Sequence, residues 1–318
     1  MRIGFHMRLH SMGEQAFIER LKRHTSRPRG VIQGIGDDAA VMAWGHGRLL
    51  LFTTDMLVEG VHFRRGERDA EGIGHKALAV CVSDIAAMGG RPREAVVSLG
   101  APADTRVSFL ELLYKGILKA AHRYGASIVG GDTVRSPRLV ISIALLGEVS
   151  KKDLILRKGA RPGDELWVTG GLGGNPKGRI LKITPRLAEA RRLVKKFRPR
   201  AMMDLSDGLW TDVGNLSRAS RVGARIYLGH LPVHPFAVRE ARRLKADPKM
   251  LALTGGEEFE LLFAVSPSAG ARLARAGRRA LGVKISKVGE IVPRSFGIKV
   301  YAKGCVVKVK ESAVWKHF

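Results

Sequence analysis

Hydrophobic and polar positions alternate along this chain in two different periods, which predicts helices layered against strands. Apolar residues at helical spacing predict amphipathic helices over 108–124 and 187–197. Short runs rich in Leu, Ile and Val predict buried strands, including 48–53, 139–146 and 165–169. Because helices and strands follow one another in both halves, the chain is predicted to be an α/β protein with α+β layering.

Further elements complete this picture, and one of them is unusual. Shorter apolar runs predict strands over 95–99, 127–129, 224–228 and 258–265, and helices over 74–88 and 207–220. A capping-box pattern at 11–14 predicts a helix with Phe17, Ile18 and Leu21 on one face. The helix over 74–88 is apolar except near Ser83 and Asp84, where a carboxylate is costly unless it binds something.

Length and a change of composition predict two domains. A chain of 318 residues is long for a single hydrophobic core. A charged run covers 150–161, and a turn of sequence RPGD follows at 161–164. We therefore expect an N-terminal domain over 1–149 and a C-terminal domain over 150–318.

The aspartates are distributed unevenly, and their positions indicate chemistry. Seven of the thirteen lie in short segments with Gly, Ser or Thr, at 36–38, 53–55, 83–84, 130–133 and 204–208. One aspartate beside a glycine is more often a helix cap or an Asx turn than a ligand. At 204–208, taken alone, the two interpretations are evenly balanced. Five such segments, most of them expected at strand ends or helix starts, together favour oxygen ligands for hard cations such as Mg²⁺, and hence phosphate chemistry.

The net charge of +26 admits several interpretations. Lys and Arg number 55 against 29 Asp and Glu, with basic stretches at 191–200, 239–245 and 272–287. This excess could mark a nucleic-acid-binding surface. Solvated faces of amphipathic helices, or a compositional habit such as that of thermophiles, explain it more simply. A basic field would attract anionic substrates in every case.

Several other classes of protein are disfavoured. Cys81 and Cys305 form no CxxC pair, so no zinc or redox site is indicated. The glycine-rich loop at 170–177 lacks the Gly-Lys-Ser/Thr ending of a Walker A motif. No stretch approaches the roughly 20 apolar residues of a membrane span, and no hydrophobic signal core is present. We expect a cytoplasmic protein without membrane contact.

Seven motifs in this order resemble those of thiamine-monophosphate kinases. They are GIGDDAAV at 34–41, TTDMLVEGVHF at 53–63, KALAVCVSDIAAMG at 76–89, GGDT at 130–133, RKGARPGD at 157–164, MDLSDGL at 203–209 and TGGEEFEL at 254–261. That family is part of a larger group that includes aminoimidazole ribonucleotide synthetase, selenophosphate synthetase and a hydrogenase-maturation protein. The resemblance implies a two-domain aminoimidazole ribonucleotide synthetase-like fold whose N-terminal domain dimerises through its sheet, and hence a homodimer.

The resemblance also implies roles for individual residues. Mg²⁺ ligands are expected at Asp38, Thr53, Thr54, Asp55, Asp84, Asp132, Asp204 and Asp207. ATP contacts are expected at Gly131, Asp132, Arg157 and Ser206. Thiamine phosphate contacts are expected at His62, Glu257 and Trp315.

The implied reaction is ATP-dependent phosphorylation of thiamine monophosphate to thiamine diphosphate, with several Mg²⁺ ions and no covalent nucleophile on the protein. The nearest alternative is another ATP-using enzyme of the same group, such as aminoimidazole ribonucleotide synthetase. Selenophosphate synthetase is disfavoured because neither cysteine lies in a glycine-rich N-terminal segment. A nucleic-acid-binding protein on this fold is the less favoured alternative, since that role does not predict clustered aspartates.

Overall fold

The computed structural model describes residues 8–26, 28–65, 70–174 and 183–310. The helices are α1 Leu9–Met12, α2 Glu14–Lys22, α3 Ala70–Ala87, α4 Val107–Tyr124, α5 Leu187–Phe197, α6 Leu209–Ser220, α7 Pro235–Leu244, α8 Pro248–Thr254 and α9 Pro267–Ala276. The strands are β1 Val31–Gln33, β2 Ala40–Gly45, β3 Arg48–Val58, β4 Arg91–Ala101, β5 Ser127–Arg135, β6 Val140–Ser150, β7 Glu165–Thr169, β8 Ala201–Asp204, β9 Gly223–Tyr227, β10 Leu261–Val265, β11 Ile285–Val292, β12 Ile298–Ala302 and β13 Cys305–Val307. They form two mixed sheets, so the two-domain α/β prediction is confirmed.

The first sheet has the strand order β1-β2-β3-β6-β4-β5, with only β4 and β5 parallel. Successive side chains of a strand point to opposite faces. On β3, Leu49, Leu51 and Thr53 are buried on the face that α3 covers, whereas Phe52 and Met56 are exposed on the other face. One face of this sheet therefore carries the core, and the other presents apolar side chains to solvent.

Helix α3 is buried along most of its length because α4 packs unusually close to it. A Cβ on Gly74 would lie 1.9 Å from the carbonyl oxygen of Leu113, and a Cβ on Gly116 would lie 1.9 Å from that of Glu71. The two backbones are thus in direct contact. This packing holds the polar residues of α3 at fixed positions within an apolar environment.

The second sheet has the order β13-β12-β9-β11-β7-β10-β8, and β8 is an edge strand that ends at Asp204. Helices α5 and α9 pack on one face around Trp167 and Phe263, and α6 and α8 pack on the other. Ala86 and Ala87, at the end of α3, belong to the same hydrophobic cluster as α5. The first domain therefore contacts the second through the helix that carries Asp84.

Two strands are longer than the sequence pattern predicts, which changes where the candidate ligands lie. We expected Thr53 to Asp55 and Gly130 to Asp132 at strand ends, but both triplets lie within strands. Every residue of β3 pairs with β6 from Arg48 to Val58, and β5 continues beside β4 to Arg135. Pairing with long neighbours extends these strands across polar residues that would otherwise end them.

The N-terminal helix also differs from its prediction. The capping box at 11–14 does not form, because Gly13 adopts a φ of 75° and separates α1 from α2. Helix α2 begins at Glu14 without a side-chain cap, and Phe17 and Leu21 on it remain exposed. Within the described ranges, no helix combines the length and the hydropathy needed to cross a bilayer.

Candidate active site

Three carboxylates from three separate elements meet where the two domains join. Asp38 precedes β2, Asp84 lies on α3, and Asp204 ends β8. One carboxylate oxygen from each lies within 4.8 Å of the others. Asp38 and Asp204 are buried, and Asp84 is partly buried. We call these three residues the carboxylate cluster.

Hydroxyl groups hold the cluster in place. Thr53 Oγ1 donates to Asp84 Oδ2 at 2.5 Å and also lies 3.2 Å from the carbonyl oxygen of Asp38. Ser83 Oγ donates to Asp204 Oδ2 at 2.6 Å. The Ser83 bond crosses from the first domain to the second. Among the described residues, the buried Asp38 Oδ2 has no hydrogen-bond partner, although buried carboxylate oxygens are normally satisfied.

Arg157 balances part of this negative charge. Its Nε and Nη2 donate to Asp38 Oδ1 at 3.2 and 2.6 Å. Its backbone N–H lies 3.2 Å from both carboxylate oxygens of Asp37. The guanidinium is therefore engaged with the cluster, and the predicted ATP contact of Arg157 stays a prediction.

The carboxyl groups are strongly perturbed because they share a buried region. Burial, with the charge of Asp38, raises the pKa of Asp204 to about 8. Burial and Asp38 likewise raise the pKa of Asp37 to about 7. Burial raises the pKa of Asp84 well above its usual range, and Asp55, Asp204 and Asp38 add to this. Like charges this close cannot all ionise without a compensating cation.

The donor chemistry fits a hard divalent cation. The atoms that could bind a cation are the carboxylate oxygens of the cluster and the hydroxyl oxygen of Thr53 beside it. Oxygen is the ligand atom that Mg²⁺ prefers. The unpartnered Asp38 Oδ2 supplies a free lone pair, and the mutual repulsion of the carboxylates supplies the driving force. Asp38, Asp84 and Asp204, with Thr53 beside them, are the residues that could hold such an ion.

Two of the predicted metal ligands lie on the opposite face of the first sheet. Thr54 is exposed on β3, beside the buried Thr53. Asp132 is exposed on the edge strand β5 next to Gly131, and its Oδ1 accepts the backbone N–H of Thr133 at 2.9 Å. The described structure therefore does not bring Thr54 or Asp132 into the carboxylate cluster, and their roles stay predictions.

The remaining predicted ligands lie beside the cluster. Asp55 is on the helix-facing side of β3, and burial raises its pKa. Ser206 and Asp207 follow Asp204 in the loop between β8 and α6. Gly208 ends this loop with a φ of 95°, and a Cβ there would lie 2.3 Å from the carbonyl oxygen of Gly255. The close approach fixes the loop against the segment that carries Glu257.

The residues predicted to contact thiamine phosphate are only partly described. His62 lies in the turn after β3, and its Nδ1 accepts the backbone N–H of Val58 at 3.0 Å. Glu257 is buried next to the cluster-bearing loop, and its backbone N–H donates to the carbonyl oxygen of Ser206 at 2.6 Å. Trp315 lies outside the described residues.

Sequence reasoning assigned no role to three polar residues that shape the site. Ser83 and Lys76 lie on α3, and Asp212 lies on α6. Asp212 Oδ2 accepts the backbone N–H of Asp207 at 3.1 Å and so orients the loop of the predicted ligand. A charged residue within an apolar helical run is the signal that could have identified Lys76, as it did Asp84.

Glu258 fastens the glycine-rich loop of the second domain. Its Oε1 accepts the backbone N–H of Gly173 at 2.6 Å, and its Oε2 accepts that of Gly174 at 3.3 Å. Burial raises the pKa of Glu258 to about 8, although these two hydrogen bonds oppose the shift. The loop thus rests on a carboxyl group that retains its proton near neutral pH.

Replacing Glu258 by Gln is expected to flatten the pH dependence of stability. A carboxyl group with a raised folded-state pKa contributes stability that is complete below pH 4.5, its unfolded value, and is lost as the pH rises to about 8. The slope is at most about 1.4 kcal/mol per pH unit. The free energy of unfolding, measured for both proteins at pH 5 and pH 8.5, should therefore differ less in the variant. An unchanged pH dependence would contradict the assignment.

Comparison with known proteins places the chain in a family. Residues 36–149 match the N-terminal domain of AIR synthase related proteins, and residues 161–301 match the C-terminal domain. The thiamine-monophosphate kinase of Rhodopirellula baltica is 38% identical over 291 residues, covering 89% of this chain and 90% of that protein. That of Bacillus subtilis is 32% identical over 330 residues, covering 96% and 100%.

Comparison with solved structures indicates the same family as comparison with the sequence relatives. A structure of "AaThiL complexed with AMPPCP and TMP" superposes with a TM-score of 0.80 at 32% identity, covering 99% of this chain and 100% of that one. The hydrogenase maturation protein HypE of E. coli gives a TM-score of 0.70 at 21% identity, covering 93% of this chain and 97% of that one. At this identity the comparison shows a shared fold and nothing more. Both sequence relatives are thiamine-monophosphate kinases. This chain belongs to the thiamine-monophosphate kinase family, within the AIR synthase related proteins.

Proposed function

We propose that this protein transfers the γ-phosphoryl group of ATP to thiamine monophosphate, giving ADP and thiamine diphosphate. The observation that carries the proposal is the carboxylate cluster at the domain junction of a chain from this family. A relative of the same fold binds both an ATP analogue and TMP. Basic residues outnumber acidic residues in the chain as a whole, and the resulting positive field would attract two polyanionic substrates.

The reaction requires charge compensation more than a strong base. A phosphate oxygen of thiamine monophosphate forms a bond to the γ-phosphorus, and the bond from that phosphorus to the β,γ-bridging oxygen breaks. The electron pair leaves with ADP. Because the attacking oxygen is already ionised near neutral pH, no side chain needs to remove a proton, and no phosphorylated residue is required.

The cluster has the residues needed for that compensation. Asp38, Asp84 and Asp204 would hold Mg²⁺, which when bound supplies positive charge and alignment to the phosphates. Thr53 and Ser83 orient two of these carboxylates through hydrogen bonds. Arg157 restrains Asp38 from the other side. We extend the proposal to several ions, with Asp55 and Asp207 as further ligands beside the cluster.

A product assay tests the reaction directly. Purified protein is incubated with Mg²⁺, ATP and thiamine monophosphate, and the nucleotides and thiamine phosphates are separated by chromatography. Equal amounts of ADP and thiamine diphosphate, both lost on addition of EDTA, are expected. ADP without thiamine diphosphate would reject the proposed acceptor and favour another ATP-using enzyme of the same group.

Turnover should depend on Asp207 far more than on His62. Asp207→Asn removes a negative charge from the loop that carries Ser206, and we expect turnover to fall about a hundredfold or more. His62→Ala removes a side chain that accepts one backbone N–H, and we expect a change of less than about tenfold. Steady-state turnover numbers of the two variants make the comparison. Equal losses would argue against a metal-centred site.

The charge alone does not favour nucleic acid as the main ligand. Two acid-free segments, 190–203 and 266–289, do pack against each other through α5 and α9. Some of their cations are used within the fold, however. Arg192 donates to the carbonyl oxygen of Leu281, and Arg272 lies over the ring of Phe197. Binding to heparin or duplex DNA that persists at about 0.2 M salt would support a nucleic-acid-binding function instead.

We further propose that two copies of the chain pair through the first sheet. Its outer face presents Phe52, Met56 and Val96, and the edge strand β5 adds Val129 and Val134. An apolar surface of this kind on a soluble domain is typical of a protein interface. An ATP-consuming reaction is also consistent with the predicted cytoplasmic location.

A charge on this face should separate the copies. Val96→Lys places an ammonium on the outer face of β4, next to the edge strand β5, and we expect the mass in solution to fall from twice 34.7 kDa to 34.7 kDa. The measurement is size-exclusion chromatography with light scattering. Val107→Lys is the matched control, because Val107 is more exposed but lies at the start of α4. A dimeric Val96→Lys variant would exclude this face as the interface.

A further inference from the structure

Lys76 is a fully buried lysine that connects the two domains. Its side chain on α3 is 0% exposed. Nζ donates to Glu257 Oε1 at 2.7 Å and to the carbonyl oxygen of His62 at 3.2 Å. A buried ammonium is costly unless it is paired and hydrogen-bonded. The surroundings of Lys76 must therefore be arranged around its charge.

Helix α3 makes a second bond to the second domain from the same face. Ser83 follows Lys76 by seven residues, which is close to two helical turns or about 10 Å along the axis. Ser83 donates to Asp204, at the start of the loop over 204–208. Lys76 donates to Glu257, in the neighbouring segment over 254–260. One rigid helix thus holds the second domain at two separate points.

The two contacted segments are joined to each other through their backbones. The N–H of Glu257 donates to the carbonyl oxygen of Ser206 at 2.6 Å, and the N–H of Phe259 donates to that of Leu205 at 2.8 Å. Glu257 and Phe259 have φ values of 60° and 50°, which are uncommon for residues with large side chains. Such strained backbone persists only where surrounding contacts enforce it. The main chain of this segment is therefore fixed by its own bonds, and Lys76 adds the contact that orients the Glu257 carboxylate.

We propose that Lys76 is a positioning residue that places Glu257 and the His62 turn, on the thiamine phosphate side of the site, relative to the carboxylate cluster. This inference rests on the proposed function. Lys76 contacts one element from each domain, and the cluster also takes its carboxylates from both domains. Lys76 acts through these groups and is not itself a catalytic residue.

A positioning role and a purely structural role differ in their kinetic consequences. A structural ion pair stabilises the fold, so its loss lowers the thermal midpoint while the folded enzyme keeps its kinetic constants. A positioning residue changes the affinity for one substrate selectively. Lys76 contacts the predicted thiamine phosphate side and none of the predicted ATP contacts, so the two Michaelis constants should respond differently.

The test compares wild type with Lys76→Met, Lys76→Arg and the double variant Lys76→Met/Glu257→Gln. For Lys76→Met we expect the KM for thiamine monophosphate to rise at least tenfold, with the KM for ATP changed by less than threefold. Lys76→Arg should recover part of the loss, because the guanidinium can still reach the carboxylate. Lys287→Met is the matched control, since it breaks a Lys–Glu pair of 2.6 Å with Glu165 on the second sheet. Its kinetic constants should equal those of wild type.

The double variant keeps the test decisive if the single variant does not fold. It leaves no buried carboxylate without its cation, so its thermal midpoint should lie closer to that of wild type. Its KM for thiamine monophosphate should remain at least tenfold raised and should exceed that of Glu257→Gln alone, because the His62 turn has also lost its bond from Lys76. A folded single or double variant with the wild-type KM, or with both Michaelis constants raised equally, overturns the positioning role alone. Wild-type protein that forms no thiamine diphosphate overturns the proposed function and this inference together.

Discussion

Asp84→Asn is expected to abolish most of the phosphoryl transfer while raising the stability of the metal-free protein. The amide can still accept the hydrogen bond from Thr53, so the local geometry is preserved. The negative charge that would hold a cation against the phosphates is lost, and turnover should fall at least about a hundredfold. Initial rates of thiamine diphosphate formation at saturating substrates provide the measurement.

The stability of the same variant should move in the opposite direction. In the metal-free protein, burial raises the pKa of Asp84, and repulsion from the nearby Asp55, Asp204 and Asp38 raises it further. Removing one charge relieves that repulsion, so the thermal midpoint in EDTA should rise above that of wild type. The increase in midpoint on adding Mg²⁺ should shrink, since ligands stabilise the state that binds them.

Asp247→Asn is the control for this pair of measurements. Asp247 caps α8 through the backbone N–H of Lys249, and asparagine caps helices equally well. Its turnover and midpoint should match wild type. An Asp84→Asn variant with more than a tenth of wild-type turnover, or with a lower midpoint in EDTA, would remove Asp84 from the proposed centre.

Gly116→Ala is expected to cause a large loss of stability. A Cβ at this position would lie 1.9 Å from the carbonyl oxygen of Glu71, which is backbone and cannot rotate away. Helices α3 and α4 would have to separate, at a cost of about 1–3 kcal/mol or more. Urea denaturation of the metal-free protein measures the free energy of unfolding.

The control is an alanine at a glycine that has room for it. Gly214 lies inside α6, and the nearest atom to a Cβ there would be 3.8 Å away, on the Arg218 side chain. Gly214→Ala should therefore be neutral or should stabilise the protein by up to about 1 kcal/mol. If Gly116→Ala unfolds at the same urea concentration as wild type, the close packing of α3 and α4 described above is wrong.

The elements that were predicted well from the sequence are those in which local sequence signals are sufficient to determine the secondary structure. The predicted ranges 165–169 and 187–197 coincide with β7 and α5. In these segments the apolar spacing, a nearby turn and the charged flanks all favour the same element. The predicted domain boundary between residues 149 and 150 falls at the end of β6, before its last residue, but it stays a prediction.

The errors occurred where tertiary pairing overrides local preference. The strand that carries Thr53, Thr54 and Asp55 continues because β6 pairs with all of it. The polar residues therefore alternate between two faces instead of gathering at a strand end. This alternation separates Thr54 from Thr53, which no inspection of the motif could show without the length of the strand.

For the site, the sequence analysis identified most of the residues but not how they are arranged in space. The aspartates were identified because carboxylates beside glycines stand out in a basic chain. Lys76 was not, because a lysine near the start of an apolar helix looks like a solvated end residue. Its partner is 181 residues away along the chain, and only the packing of the two domains brings the pair together.

The division of the carboxylate cluster between two domains has a consequence for how the protein unfolds. Asp38 and Asp84 belong to the first domain and Asp204 to the second, so neither domain can assemble the cluster alone. A cation held by all three residues would add free energy only to the state in which both domains are folded and joined. Binding of a cation at the cluster would therefore make the two domains unfold together. The ion would then stabilise the tertiary structure in addition to its part in phosphate chemistry.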